Sequence, residues 1–180
     1  MSIVPTNVNY TYNLLRKNLI ELNSKYPFLN IQIVGNSVMG KNIYVVKLGK
    51  GANKVFYSGS FHANEWITSV ILMKFVEDYS KAFVNNTSIY GYNIRSLFEN
   101  SSIYIMPMVN PDGVDLVTGS LSTTSYFYKS VLNISKDFPN ITFPSAWKAN
   151  INGVSFKNFQ LLFYYFDELI LSSLSNPSFE

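Results

Sequence analysis

The run Ser58-Gly59-Ser60-Phe61-His62-Ala63-Asn64-Glu65-Trp66 holds the one histidine of the chain and, three residues after it, a carboxylate. Imidazole nitrogen and carboxylate oxygen are both ordinary zinc ligands, and at i and i+3 on a strand-to-helix turn they can point the same way. The spacing of His62 and Glu65 therefore permits chelation of one ion and reads as half of a zinc site. A capped helix start explains the same short segment in a different way, because polar residues ahead of an apolar run are what a helix N-terminus uses. A hydrolytic zinc takes at least three protein ligands. The sequence has neither a second histidine nor a cysteine to serve as the usual third.

The elements that must position this pair are legible on both sides of it. Lys54 to Ser58 is β-branched and aromatic and reads as a strand leading in. An amphipathic helix from about Trp66 to Phe83 leads out, with Ile67, Ile71, Phe75, Tyr79 and Phe83 four apart on the face expected to pack on a sheet. Upstream, Thr11 to Tyr26 carries Leu14, Leu15, Leu19 and Leu22 at helical spacing and is stopped by Pro27. Leu29 to Val34 and Ile43 to Leu48 read as a hairpin around the turn signals Gly35-Asn36-Ser37 and Gly40-Lys41-Asn42.

Downstream, Asn85 to Tyr92 reads as a polar loop and Asn93 to Phe98 as a short helix. Ser102 to Val109 reads as a strand buried on both faces, ended by a type I turn at Asn110-Pro111-Asp112-Gly113. Turn chemistry alone accounts for Asp112, so it is read as a scaffold residue and not as a catalytic one. Gly119 to Ser125 and Ser135 to Ala146 read as loops. No internal repeat divides the chain, and strands alternating with helices argue an α/β fold, a mixed β-sheet flanked by helices.

Composition narrows the classes. With 180 residues, 47% of them apolar and 16% aromatic, the chain can bury a sizeable core as one domain. Only 14% of residues are charged and the net charge is +3, with no run of three basic residues, so nucleic acid is a poor partner. Zero cysteines exclude disulfides and thiol catalysis. The residues after Met1 show no basic segment followed by an apolar one, which gives a cytoplasmic expectation for the sequence as written. The longest apolar stretch, Phe159 to Leu174, is broken by Gln160, Asp167 and Glu168 and falls short of a membrane span.

With strand, His-x-x-Glu and Asn-Pro-Asp-Gly in that order, the chain resembles the carboxypeptidase A-like zinc metallopeptidases from about Asn7 to Val154. Four segments carry the resemblance: Gly35-Asn36-Ser37-Val38-Met39-Gly40-Lys41, His62-Ala63-Asn64-Glu65, Met106-Pro107-Met108-Val109-Asn110-Pro111-Asp112-Gly113, and Trp147-Lys148-Ala149-Asn150. The second and fourth look closest to the bacterial branch that cleaves γ-D-glutamyl to diaminopimelate bonds in peptidoglycan stem peptides. The resemblance implies an eight-stranded mixed sheet and a zinc held by two histidines and a glutamate, with His62 and Glu65 as the first two ligands. It implies Lys148 as the cation facing the oxyanion, where carboxypeptidases usually show arginine; a solvated lysine covering apolar surface is the other reading of that residue. Asn64 stands where they also use an arginine near the substrate. Asn64 and Trp66 are candidates to line the cleft, with helix-terminal polarity and core packing as their alternatives.

After Val154 the chain departs from the family. Gly153-Val154-Ser155-Phe156-Lys157-Asn158 stands where a Gly-Val-Asp-x-Asn pattern is expected, and Ser155 to Glu180 has no match. The third ligand and the catalytic glutamate would lie beyond this point in a full-length relative. The expectation is thus residues 1–154 as the N-terminal part of a zinc peptidase domain, a fold incomplete at the C-terminus, and a divergent, truncated or out-of-frame tail at 155–180. Asn158 to Ser173 reads as a helix, and Glu168 and Glu180 have no assigned role. The expected function is a zinc-dependent metallopeptidase hydrolysing amide bonds in peptide substrates, peptidoglycan stem peptides among them. The alternative is a non-catalytic peptide-binding remnant.

Overall fold

A computed structural model describes residues 2–155. The expected helix at 158–173, Glu168 and Glu180 lie outside them. Helix α1 (Tyr12–Lys25) starts where Thr11 accepts a hydrogen bond from the Leu14 amide, and it buries Leu15, Leu19 and Leu22. Strands β1 (Asn30–Asn36) and β2 (Asn42–Leu48) form the expected antiparallel hairpin, with an irregularity between Ile33 and Gly35. Strand β3 (Asn53–Ser58) leads into the candidate turn, and α2 (Ile67–Asn85) leads out. Then follow a small hairpin β4 (Ser88–Ile89) and β5 (Tyr92–Asn93), helix α3 (Ile94–Asn100), strand β6 (Ser101–Met106), and helices α4 (Pro111–Val117) and α5 (Tyr126–Ser135).

The four long strands lie in the order β1-β2-β6-β3, with β2 antiparallel and β3 parallel to β6. The sheet is therefore mixed, as expected. Strand β6 is buried on both faces. Ile103 and Ile105 enter the main core with α1 and α2, while Tyr104 and Met106 join Val45 in a second cluster on the opposite face. Period-two alternation puts successive side chains on opposite faces. Strand β3 is an end strand, with Val55 and Tyr57 exposed. No helix among the described residues is long and apolar enough to cross a membrane.

Three local expectations are corrected. The five residues four apart on α2 do not share a buried face: Tyr79 is 0% exposed, but Ile67 and Ile71 are 48% and 61% exposed. At about 100° per residue, a step of four advances the stripe by about 40°, so five such positions fan over roughly 160°. The apolar residues of α2 that face the core are Val70, Met73, Val76, Tyr79 and Ala82, each three residues from the next. The polar loop at 85–92 contains the β4–β5 hairpin, turned at Tyr90 and Gly91, both at positive φ as a tight two-residue hairpin loop requires. Asn110-Pro111-Asp112-Gly113 is not a free-standing turn but the start of α4: Asn110 Oδ1 accepts from the Gly113 amide, and Pro111 occupies the first helical turn. Helix α5 was not anticipated; Ser125, which caps it at the Tyr128 amide, is its sequence signal.

The Gly40-Lys41 turn docks onto α4 through charge. Lys41 Nζ lies 2.7 Å from Asp115 Oδ2 and 3.3 Å from Asp112 Oδ1, and 5.5 Å from the centre of the Tyr12 ring. Asp112 Oδ2 accepts from the Met39 amide, and Asp115 Oδ1 from the Tyr12 amide. Asp112 Oδ1 makes no hydrogen bond, and its partner is the Lys41 charge. Asp112 is structural, tying two motifs of the sequence into one junction.

Candidate metal centre

The turn between β3 and α2 is suspended from backbone hydrogen bonds on three sides. The Gly59 amide donates to the Met106 carbonyl, the Val109 amide to the Gly59 carbonyl, and the Asn110 amide to the Ser60 carbonyl. The Ala63 amide donates to the Lys148 carbonyl at 3.1 Å. Gly59 is required here, because a Cβ would lie 2.8 Å from the Pro107 carbonyl oxygen. Residues Ala63–Glu65 form one turn of 3₁₀ helix before α2 begins. Neither this turn nor α2 has a side-chain N-cap, so the capped-helix explanation of the segment is not the one the fold uses.

His62 and Glu65 are brought together. His62 Nδ1 lies 3.0 Å from Glu65 Oε1, with the two side chains 32% and 46% exposed. The imidazole is not buried in hydrocarbon, and both side chains are partly open to solvent. Zinc bonds to nitrogen and carboxylate oxygen are about 2.0–2.2 Å, so two donors about 3 Å apart can share one ion. By chemistry and spacing the pair fits two positions of a zinc site. No group of three His, Cys, Asp or Glu side chains able to hold a metal occurs among the described residues.

The other expected site residues fall around this pair. Asn64 Oδ1 is buried without a hydrogen-bond partner, inside the turn itself. Trp66 packs against the main core, which realises its packing role. Lys148 is exposed, and its backbone carbonyl is what holds the turn. Its position is fixed by Trp147, which is 2% exposed in the cluster containing Ala63 and donates from Nε1 to the Asn150 carbonyl.

Several residues that build the site were not singled out in the sequence. Ser60 is 1% exposed and holds φ at +49°; its hydroxyl meets that of Ser69, which donates to the Pro107 carbonyl. Gly113 lets α4 lie close against the His62–Glu65 turn, because a Cβ there would sit 2.7 Å from Ala63 Cβ and 2.6 Å from Asn110 Nδ2. Gly113→Ala is therefore expected to cost about 2 kcal/mol by overpacking. Urea denaturation checks this, and a wild-type midpoint would contradict the close packing of α4 on the turn.

Comparison with known proteins gives one consistent answer. The zinc carboxypeptidase family model matches residues 15–157. Gamma-D-glutamyl-L-diamino acid endopeptidase 1 of Lysinibacillus sphaericus is 38% identical over 146 residues, covering 81% of this chain and 36% of that protein. Carboxypeptidase B of Astacus astacus is 34% identical over 108 residues, covering 58% and 33%. The chain thus spans 36% and 33% of the lengths of these two relatives. The crystal structure of thrombin activatable fibrinolysis inhibitor superposes with a TM-score of 0.55 at 19% identity, over 83% of this chain and 33% of that one, which shows a shared fold.

Proposed function

The chain belongs to the zinc carboxypeptidase family, and from that premise we propose that His62 and Glu65 hold zinc in a peptidase site acting on peptidoglycan stem peptides at γ-D-glutamyl to diaminopimelate amides. The observation that carries the reading is the 3.0 Å approach of His62 Nδ1 to Glu65 Oε1 on a solvent-open turn. The name of the Lysinibacillus relative supports the choice of bond. Zinc bound there supplies Lewis-acid polarisation of a carbonyl and activates water.

This chain's own residues bind and orient. His62 offers Nδ1 as an unprotonated donor, which puts the ring proton on Nε2, and Glu65 offers an anionic oxygen. Lys148, exposed beside the turn, brings a positive charge to the oxygen where charge develops. The third donor that a hydrolytic zinc requires lies outside residues 2–155 in this reading.

In calorimetry the purified chain is expected to take up zinc one-to-one. Hydrolysis of a γ-D-glutamyl-diaminopimelate peptide by the zinc-loaded protein, abolished by a chelator, would support the peptidase reading. Zinc uptake without turnover would transfer the assignment to a peptide-binding protein that does not catalyse. No uptake would end the zinc reading.

A further inference from the structure

We propose that Thr68 is a positioning residue for the metal pair: its hydroxyl closes the loop between Ser60 and Glu65 and thereby sets the separation of His62 from Glu65. The inference rests on the zinc reading above and concerns a residue that neither chelates nor touches substrate. Thr68 Oγ1 accepts the Ser60 amide at 2.6 Å and donates to the Glu65 carbonyl at 2.7 Å. One oxygen thus ties the residue two before His62 to the backbone of the second ligand. Its one proton goes to the Glu65 carbonyl, and a lone pair of the same oxygen accepts the Ser60 amide.

The geometry around this bridge shows that the loop would not hold its shape unaided. Ser60 sits in the left-handed region at φ +49°, which costs a non-glycine residue roughly 1 kcal/mol or more and persists only where surrounding contacts impose it. Those contacts are the Thr68 bridge on the amide side and the Asn110 amide on the carbonyl side. The Ser60 hydroxyl meets Ser69 and lies 3.5 Å from the Glu65 carbonyl, so α2's first turn grips both ends of the loop. His62 lies between the tied points, and its ring orientation follows from where they are held. Groups that orient ligands in this way alter metal affinity by about 10–100-fold when removed.

Because His62 is the only histidine, its ring resonances report zinc occupancy without ambiguity. Zinc titrations followed by NMR are expected to show Thr68→Val, which keeps the shape and loses the hydroxyl, binding about tenfold more weakly than wild type. Thr68→Ser, which keeps the hydroxyl, is expected to bind within about threefold of wild type. A valine variant that folds and binds zinc as wild type does would overturn the role of Thr68 alone. Wild-type ring signals that ignore zinc would overturn both this role and the zinc reading. If the valine variant does not fold, the wild-type protein decides. Linkage requires that a bridge favouring zinc be strengthened by zinc, so saturation must slow hydrogen exchange at the Ser60 amide, and unchanged exchange rejects the proposal.

Discussion

Replacing His62 with alanine is expected to weaken zinc binding by at least about a hundredfold while leaving thermal stability within about 3 °C of wild type. The affinity loss follows from the donor set. With Nδ1 gone, Glu65 is the one remaining donor of the pair, and a lone exposed carboxylate competes poorly with water for zinc. The stability expectation follows from exposure. Both side chains are partly open to solvent and the part-buried hydrogen bond between them lies at the rim of the turn, away from the packed core, where substitutions usually cost little, about 0.5 kcal/mol. Glu65→Gln keeps the shape of the side chain and removes its charge, so it should lose most of the same affinity. Glu65→Asp withdraws the oxygen by one methylene and should fall between the two. Zinc isotherms and melting curves on the three variants check the set. If His62→Ala retained wild-type affinity, the ion would be bound elsewhere and the turn would not be a metal centre.

The parts of the site visible in the sequence were those encoded by residue type at short range. His62 and Glu65 are three apart on a turn, so their meeting depends on local geometry alone, and the structure brings them to 3.0 Å. The mixed sheet followed from alternation and from the apolar run of β6, which a strand between two packed faces requires. What sequence pattern did not reveal depends on contacts far apart in the chain. Gly113 matters because Ala63 lies against it, and Lys41 because Asp112 and Asp115 close over it. Ser60 and Thr68 are short polar residues of kinds that abound in this chain, and only the fold distinguishes a hydroxyl bridging two backbone groups from one facing water. The misread face of α2 has a different cause. A step of four is a good local rule, but over five positions its angular error accumulates until Ile67 and Ile71 leave the core.

Acid is expected to remove roughly 3 kcal/mol of stability through Glu77 alone. Glu77 is 4% exposed on α2 and anchors the N-terminal segment. Oε1 accepts the Ile3 amide at 2.6 Å, Oε2 accepts the Ser2 hydroxyl at 2.7 Å and the Val4 amide at 3.2 Å, and Lys74 Nζ lies 3.1 Å away. Burial opposes ionisation of this carboxyl, but the Ile3 amide, the Ser2 hydroxyl, the Lys74 ammonium and the Val4 amide together outweigh it and lower the pKa from 4.5 to about 2. The folded value lies below the unfolded one, so the unfolded chain takes the proton first. The contribution is complete above about pH 4.5 and is lost as the pH falls towards 2. Glu77→Gln should therefore be less stable than wild type by roughly 3 kcal/mol at neutral pH, with the gap shrinking below about 1 kcal/mol at pH 2. Urea denaturation of both proteins across that range measures it, and a gap independent of pH would mean that the ionised carboxylate is not what holds residues 2–4. The same helix carries Thr68 and Ser69 in its first turn, so this anchor also bears on the end of α2 against which the His62–Glu65 turn is built.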